Sequence, residues 1–115
     1  MKTKTMQGPV EKLLRSAKRK ISDPKRWTKR SYAKSANGRS VNYHSHKAVR
    51  WCALGAVYCV GHRTKGPVQH AEQILHRVAA TKFASGAVTV NDQLGHSSVM
   101  ELYNLAIARA QAAGV

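Results

Sequence analysis

Residues 45–60 read SHKAVRWCALGAVYCV, and Gly61 follows. Within this stretch Val49, Cys52, Ala53, Ala56 and Val60 recur at the spacing that lines one face of an α-helix. Ser45 is a candidate N-cap and Gly61 a stop, so a helix is expected over about residues 46–60. A helix this apolar needs partners to pack against, and the flanking sequence supplies them.

Toward the N-terminus, Pro9 suits the first turn of a helix, and Val10, Leu13, Leu14, Ala17 and Ile21 recur at helical spacing. Lys12, Arg15 and Arg19 fall outside that stripe, and Pro24 disfavours helix in the residue before it, which ends the pattern near Asp23. Toward the C-terminus, Gly66-Pro67 opens a helix carrying Ala71, Ile74, Leu75, Val78 and Ala79. Residues 82–96 form a connection with room for a short strand at Val88 to Val90. A last helix starts near Ser97 or Ser98, with Glu101 placed for a capping box and Val99, Leu102, Tyr103, Ala106, Ile107 and Ala110 as its stripe. Residues 24–44 read either as an irregular loop or as a hairpin turning at Asn37-Gly38, with Tyr32 opposite Tyr43 and Lys34 opposite Val41. The fold expected is mainly α: one compact four-helix domain over residues 9–115, a small β-hairpin allowed between helices 1 and 2, and a flexible basic tail over 1–8.

Charge divides the chain unevenly. Residues 1–50 hold fifteen Lys and Arg against Glu11 and Asp23, leaving +13. Residues 51–115 hold five against Glu72, Asp92 and Glu101, leaving +2. An excess of that size concerns partners rather than fold, and it attracts phosphates. The 115 residues with 43% hydrophobic content suffice for a single core. No apolar run reaches the roughly 18–20 residues of a membrane span, and no hydrophobic signal region follows Met1 to Thr5, so a cytoplasmic protein is expected. Cys52 and Cys59, seven apart in one helical pattern, lie too far apart to pair and suit a reducing compartment.

The order Val10-Glu-Lys-Leu-Leu, an Asn37-Gly38 turn, Arg50-Trp51-Cys52-Ala53-Leu54-Gly55-Ala56 and then Asn91-Asp92 before a last helix resembles a family of small uncharacterised domains from bacteria and their phages. The resemblance covers roughly residues 9–113, and the Arg-Trp-Cys-x-x-Gly-Ala segment is its most specific part. It implies a shared scaffold and carries no agreed activity. This chain is more basic than the family pattern, which points to a specialisation added to that scaffold.

The run Lys25-Arg26-Trp27-Thr28-Lys29-Arg30-Ser31-Tyr32-Ala33-Lys34 interleaves cations with two aromatics, so phosphate contact and base stacking are both available in one segment. Trp27 reads either as a stacking platform or as an anchor folded back into the core. The lead expectation is electrostatic binding of DNA or RNA, without a sequence-reading motif, through Lys12, Arg15, Lys18, Arg19, Lys20, Lys25, Arg26, Trp27, Lys29, Arg30, Tyr32, Lys34 and Arg39. Two alternatives stand beside it. One is a phage-type interaction module docking on an acidic host protein. The other is a sponge for a small nucleotide signal, which would need a cavity around Arg50 and Trp51. The basic first helix lacks the aromatic anchor that a membrane-surface helix would use, so core packing is expected of it and no membrane partner.

Metal and catalysis have weaker signals. His44-x-His46 and Cys59-x-x-His62 approach ligand spacing, yet two compact ligand pairs are missing, and no metal is expected. Cys52 with a histidine, or Asp92 with His96, are the catalytic candidates; the helical pattern buries Cys52, and Asn91-Asp92 also reads as a plain turn or cap. Gly61 and Gly66 are wrongly spaced for a phosphate loop, and neither a cofactor nor an enzymatic activity is expected.

Overall fold

Pro9 opens α1 (Pro9–Lys20), where its missing N–H costs nothing, and Val10, Leu13, Leu14 and Ala17 line the buried face. The computed structural model describes residues 7–115, so the tail expected over 1–8 lies mostly outside the described residues. After Ile21 the chain makes a single 3₁₀ turn at Pro24–Arg26, capped by the Asp23 carboxylate, which accepts the Lys25 N–H at 2.9 Å.

The segment between the first two helices forms a small sheet in a different register from the one expected. β1 (Ala33–Ser35) pairs antiparallel with β2 (Ala48–Trp51), Ala33 opposite Trp51 and Lys34 opposite Arg50. The Asn37-Gly38 turn does form, with Gly38 at φ 85° and the Ser35 N–H donating to Arg39 O. Lys34, however, bridges to Ser40 rather than Val41. A one-residue slip moves side chains to the opposite face. Tyr32 and Tyr43 are therefore not cross-strand partners; each instead meets Tyr58, at 5.3 and 5.4 Å between ring centroids.

The helix expected over 46–60 opens as turn and strand. His46 and Lys47 lie in a turn, Ala48–Trp51 are β2, and α2 runs Ala53–Thr64 with Cys52 as N-cap, the Cys52 sulfur accepting the Gly55 N–H at 3.2 Å. Ser45 instead accepts the Lys47 N–H in a turn, and Val49, expected in the core, is 41% exposed. The reason lies in distant backbone partners. The Thr28 N–H donates to Trp51 O, and the Cys52 N–H to Tyr32 O, so residues 48–52 are held extended by segments twenty residues upstream. Nor does α2 stop at Gly61. That glycine sits inside the helix, at a point where a Cβ would run into the Val68 side chain; the helix ends at Thr64, capped by Lys65 in the left-handed region at φ 53°.

α3 (Val68–Phe83) buries Ala71, Ile74, Leu75, Val78 and Ala79, the stripe read from the sequence. The strand expected at Val88 to Val90 is a short helix, α4 (Ala87–Thr89), continuing into a π-helical turn over Val90–Leu94. α5 (His96–Ala113) starts one residue ahead of expectation, after Gly95 at φ 98°, and has no capping box: Glu101 reaches Lys82 at 3.7 Å instead. Its stripe of Val99, Leu102, Tyr103, Ala106, Ile107 and Ala110 is buried against α1 and α3. Among the described residues the protein is thus mainly helical with five helices, not four, and a two-stranded sheet. Among the described residues, no helix is long and apolar enough to cross a membrane.

Candidate functional site

The strand-to-helix switch at Cys52 is where separate parts of the chain meet. Asn91, in the π-helical turn and 2% exposed, is the hub. Its Oδ1 accepts the Trp27 indole N–H at 2.7 Å and the Ala53 N–H at 2.9 Å, so it caps α2 from 38 residues away. Its Nδ2 donates to Thr28 O at 3.1 Å and to Asp92 Oδ1 at 3.0 Å. The same Asp92 oxygen accepts the Arg30 N–H at 2.9 Å, holding Arg30 at φ 65° in the left-handed region that a side chain seldom adopts. Gly55 completes the junction, because a Cβ there would collide with the Tyr32 carbonyl. π-Helical turns occur often at functional sites, and this one delivers the buried carboxamide.

Beside the hub lies a cleft of about 380 Å³, whose lining includes Arg30, Tyr32, Cys52, Leu54, Val88 and Asp92. That volume falls within the range of small-ligand sites. Tyr32 is half exposed, and its ring is set edge-on to Tyr58 at an interplanar angle of 70°. Among the described residues, Asp92 Oδ2 has no hydrogen-bond partner, since both bonds of that carboxylate go to Oδ1.

The catalytic candidates are placed apart. Burial pushes the Cys52 thiol above its ordinary value of 9.0, the opposite of what a thiolate nucleophile needs, and its sulfur accepts a backbone N–H rather than facing a histidine. The His96 ring contacts Ile21 O at 2.7 Å and packs edge-on against Trp27, whereas Asp92 bonds Asn91 and Arg30. His44 and His62 stack at 4.3 Å, and Cys59 is buried in α2; among the described residues no three His, Cys, Asp or Glu side chains come together.

The basic residues fall into neighbourhoods. On one edge of α1, Arg15, Lys18 and Arg19 line a groove of about 490 Å³ against α5, with Ser22, Asn104 and Gln111. Within it Arg15 is already paired, its Nε 2.8 Å from the buried Glu11 carboxylate. On the other edge, Lys12 shares a hollow with Thr64 and Lys65, and Lys20 lies over the Trp51 ring at 4.0 Å. Burial pushes the Lys20 ammonium below its ordinary value, with Arg63 and Arg26 acting in the same direction. Arg39 and Lys47 line a further hollow below the turn, while Lys25, Arg26, Lys29 and Arg30 are exposed and Lys34 is half-buried in β1. Arg50 donates to Ser35 O, and the Trp51 indole N–H to Tyr43 O, so both side chains brace the sheet and the loop behind it. Of the two readings of Trp27, its half-buried ring and its bond to Asn91 match the anchor.

Sequence reasoning missed Asn91 and Asp92 as a hub, Gly55 as a contact point, and Arg63 and Lys65 as neighbours of the α1 cations. A polar pair inside an otherwise apolar stretch, Val88-Thr-Val-Asn-Asp, was the available signal for the hub. Nothing local could signal the others, because their partners are far away in sequence.

The chain belongs to a family of unknown function (DUF6197), whose model matches residues 6–109. No curated protein and no solved structure matches it.

Proposed function

We propose that the protein binds nucleic acid as a polyanion through the exposed cations of its N-terminal half, without reading sequence through a major-groove element. One observation supports this most. All five carboxylates are engaged within the fold: Glu11 with Arg15, Asp23 with Lys25 N–H, Glu72 with the Tyr58 hydroxyl, Asp92 with Arg30 N–H and Glu101 with Lys82. Among the described residues, Arg15 and Lys82 are the only Lys or Arg side chains within 4 Å of a carboxylate, so most of the front half's charge has no partner of opposite sign within the fold. Lys18, Arg19, Lys25, Arg26, Lys29, Arg30 and Arg39 carry the contact, joined by Arg63 and Lys65 from α2. Lys20 and Trp27 shape the surface from beneath. The protein would work in the cytoplasm of a bacterial or phage-infected cell, where Cys52 and Cys59 stay thiols.

The test is binding of nuclease-treated protein to duplex and single-stranded oligonucleotides across a salt series. Affinity should fall linearly on a log–log plot with a slope of roughly 0.9 per neutralised duplex phosphate. The double change Arg26→Glu and Arg30→Glu should weaken every ligand together. Binding that vanishes near 150 mM salt, where the screening length is about 8 Å, would overturn the reading and point to an acidic protein partner.

A further inference from the structure

The cleft beside Cys52 differs chemically from the surface around it. Phosphates suit the exposed cations, but the cleft does not suit a phosphate. Two of the first N–H groups of α2, the natural anion donors, are occupied: Ala53 N–H by Asn91 Oδ1 and Gly55 N–H by the Cys52 sulfur. The Asp92 carboxylate adds negative charge to the wall, and Leu54, Ala87 and Val88 make much of the rest apolar. What fits there is flat, uncharged and rich in hydrogen-bond donors along one edge.

We infer that this cleft accepts one unpaired nucleobase carrying an exocyclic amino group, which stacks against Tyr32 and donates to Asp92 Oδ2. The inference rests on the polyanion reading above and names its substrate class: single-stranded nucleic acid, or the equivalent free nucleotide. Tyr32 has the features of a stacking platform, since the residue is half exposed and lines the cleft, and its ring is set edge-on to Tyr58. Asp92 is held in place by the bonds from Arg30 and Asn91 to Oδ1, which leaves Oδ2 for a ligand. A carboxylate accepts from the amino group of cytosine, whereas the O4 of uracil at the same position would face it lone pair to lone pair. Arg30, in the cleft lining and on the basic segment, joins the two surfaces, so that a base in the cleft leaves its phosphates among Lys29, Arg30 and Arg26.

The experiment compares cytidylate and uridylate single strands with a mixed duplex at one salt concentration, using wild-type protein, Tyr32→Ala and Asp92→Asn. Wild-type protein should hold the cytidylate strand about tenfold tighter than the uridylate strand. Tyr32→Ala should lose about tenfold on both strands and leave the duplex unchanged. Asp92→Asn keeps a carbonyl oxygen for Arg30 and Asn91 while turning an amide N–H₂ toward the ligand, so the preference should shift to uridylate. A matching preference for free cytidine over uridine monophosphate would support the cleft and place its ligand in solution. Equal affinity for both strands, unaltered by Tyr32→Ala and Asp92→Asn in folded protein, would overturn the cleft and leave the basic surface standing. Absence of binding to strands and duplex alike would overturn the polyanion reading and this inference with it.

Discussion

The Asn91 junction and the cationic surface of α1 and residues 25–39 handle polar groups in opposite ways. At the junction the buried dipoles have partners within the fold: Asn91 alone joins Trp27, Thr28, Ala53 and Asp92. On the basic surface most charges have none, and the carboxylates that could have neutralised them are used elsewhere. Buried polar groups left unpaired are costly, while solvated charges are not, so the junction is explained by stability alone and the surface is not. The difference teaches where to look for function. A surplus that does nothing for the fold is where the proposed partner would dock, and Arg30 carries the basic segment into the lining of the cleft.

That contrast can be broken from the junction side. Asn91→Ala strips partners from the Trp27 indole, the Ala53 N–H and the Thr28 carbonyl, and should cost about 4 kcal/mol of unfolding free energy in a denaturant titration. A loss under about 1 kcal/mol would show that water replaces the carboxamide and that the hub is not structural. Gly55→Ala forces a methyl against the Tyr32 carbonyl and should cost about 3 kcal/mol, read from the same titration.

A smaller effect comes from pH. Burial raises Cys52, Tyr58 and Tyr103 above their ordinary values of 9.0, 10.0 and 10.0, with Tyr58 raised further by donating to Glu72. The folded protein keeps these protons after the unfolded chain has lost them. Their contribution to stability is therefore complete below about pH 9 and declines as pH rises through 9 and 10. Lys20, lowered from 10.5, opposes this over the same window, one group against three. Thermal melts should show the midpoint falling steadily above pH 9, and Tyr58→Phe should make the decline shallower. The smallest effect sharpens the contrast. Arg30→Gly relieves the left-handed backbone while removing a surface cation, so stability should stay within about 1 kcal/mol of wild type. Oligonucleotide affinity should nonetheless fall; a stability loss without a binding loss would return Arg30 to the fold.

Much of this was legible in the sequence. The stripes of α1, α3 and α5 were readable because each buries a continuous face, and helical spacing records that directly. The charge division needed only counting. Residues 46–52 misled because Val49, Cys52 and Ala53 fit a helical stripe by spacing alone, while the carbonyls and N–H groups holding that segment extended belong to Thr28, Tyr32 and β1. The turn at Asn37-Gly38 was found, but its register was not, since the partner strand lies beyond the turn's immediate flank. The candidate binding residues were visible as a composition, and their division into an α5 groove, an α2 edge and a cleft rim was not.

The sequence by itself determined that this chain is mainly helical, that its helices bury one face each, and that its front half carries unneutralised positive charge. Periodicity and composition are local properties and need no knowledge of neighbours. Only the tertiary structure decided that Arg50-Trp51 is strand, that Asn91 caps a helix 38 residues away, and that Asp92 and Tyr32 line one cleft. Each of these depends on hydrogen bonds between segments far apart in the chain, and such bonds leave no period in the sequence that makes them.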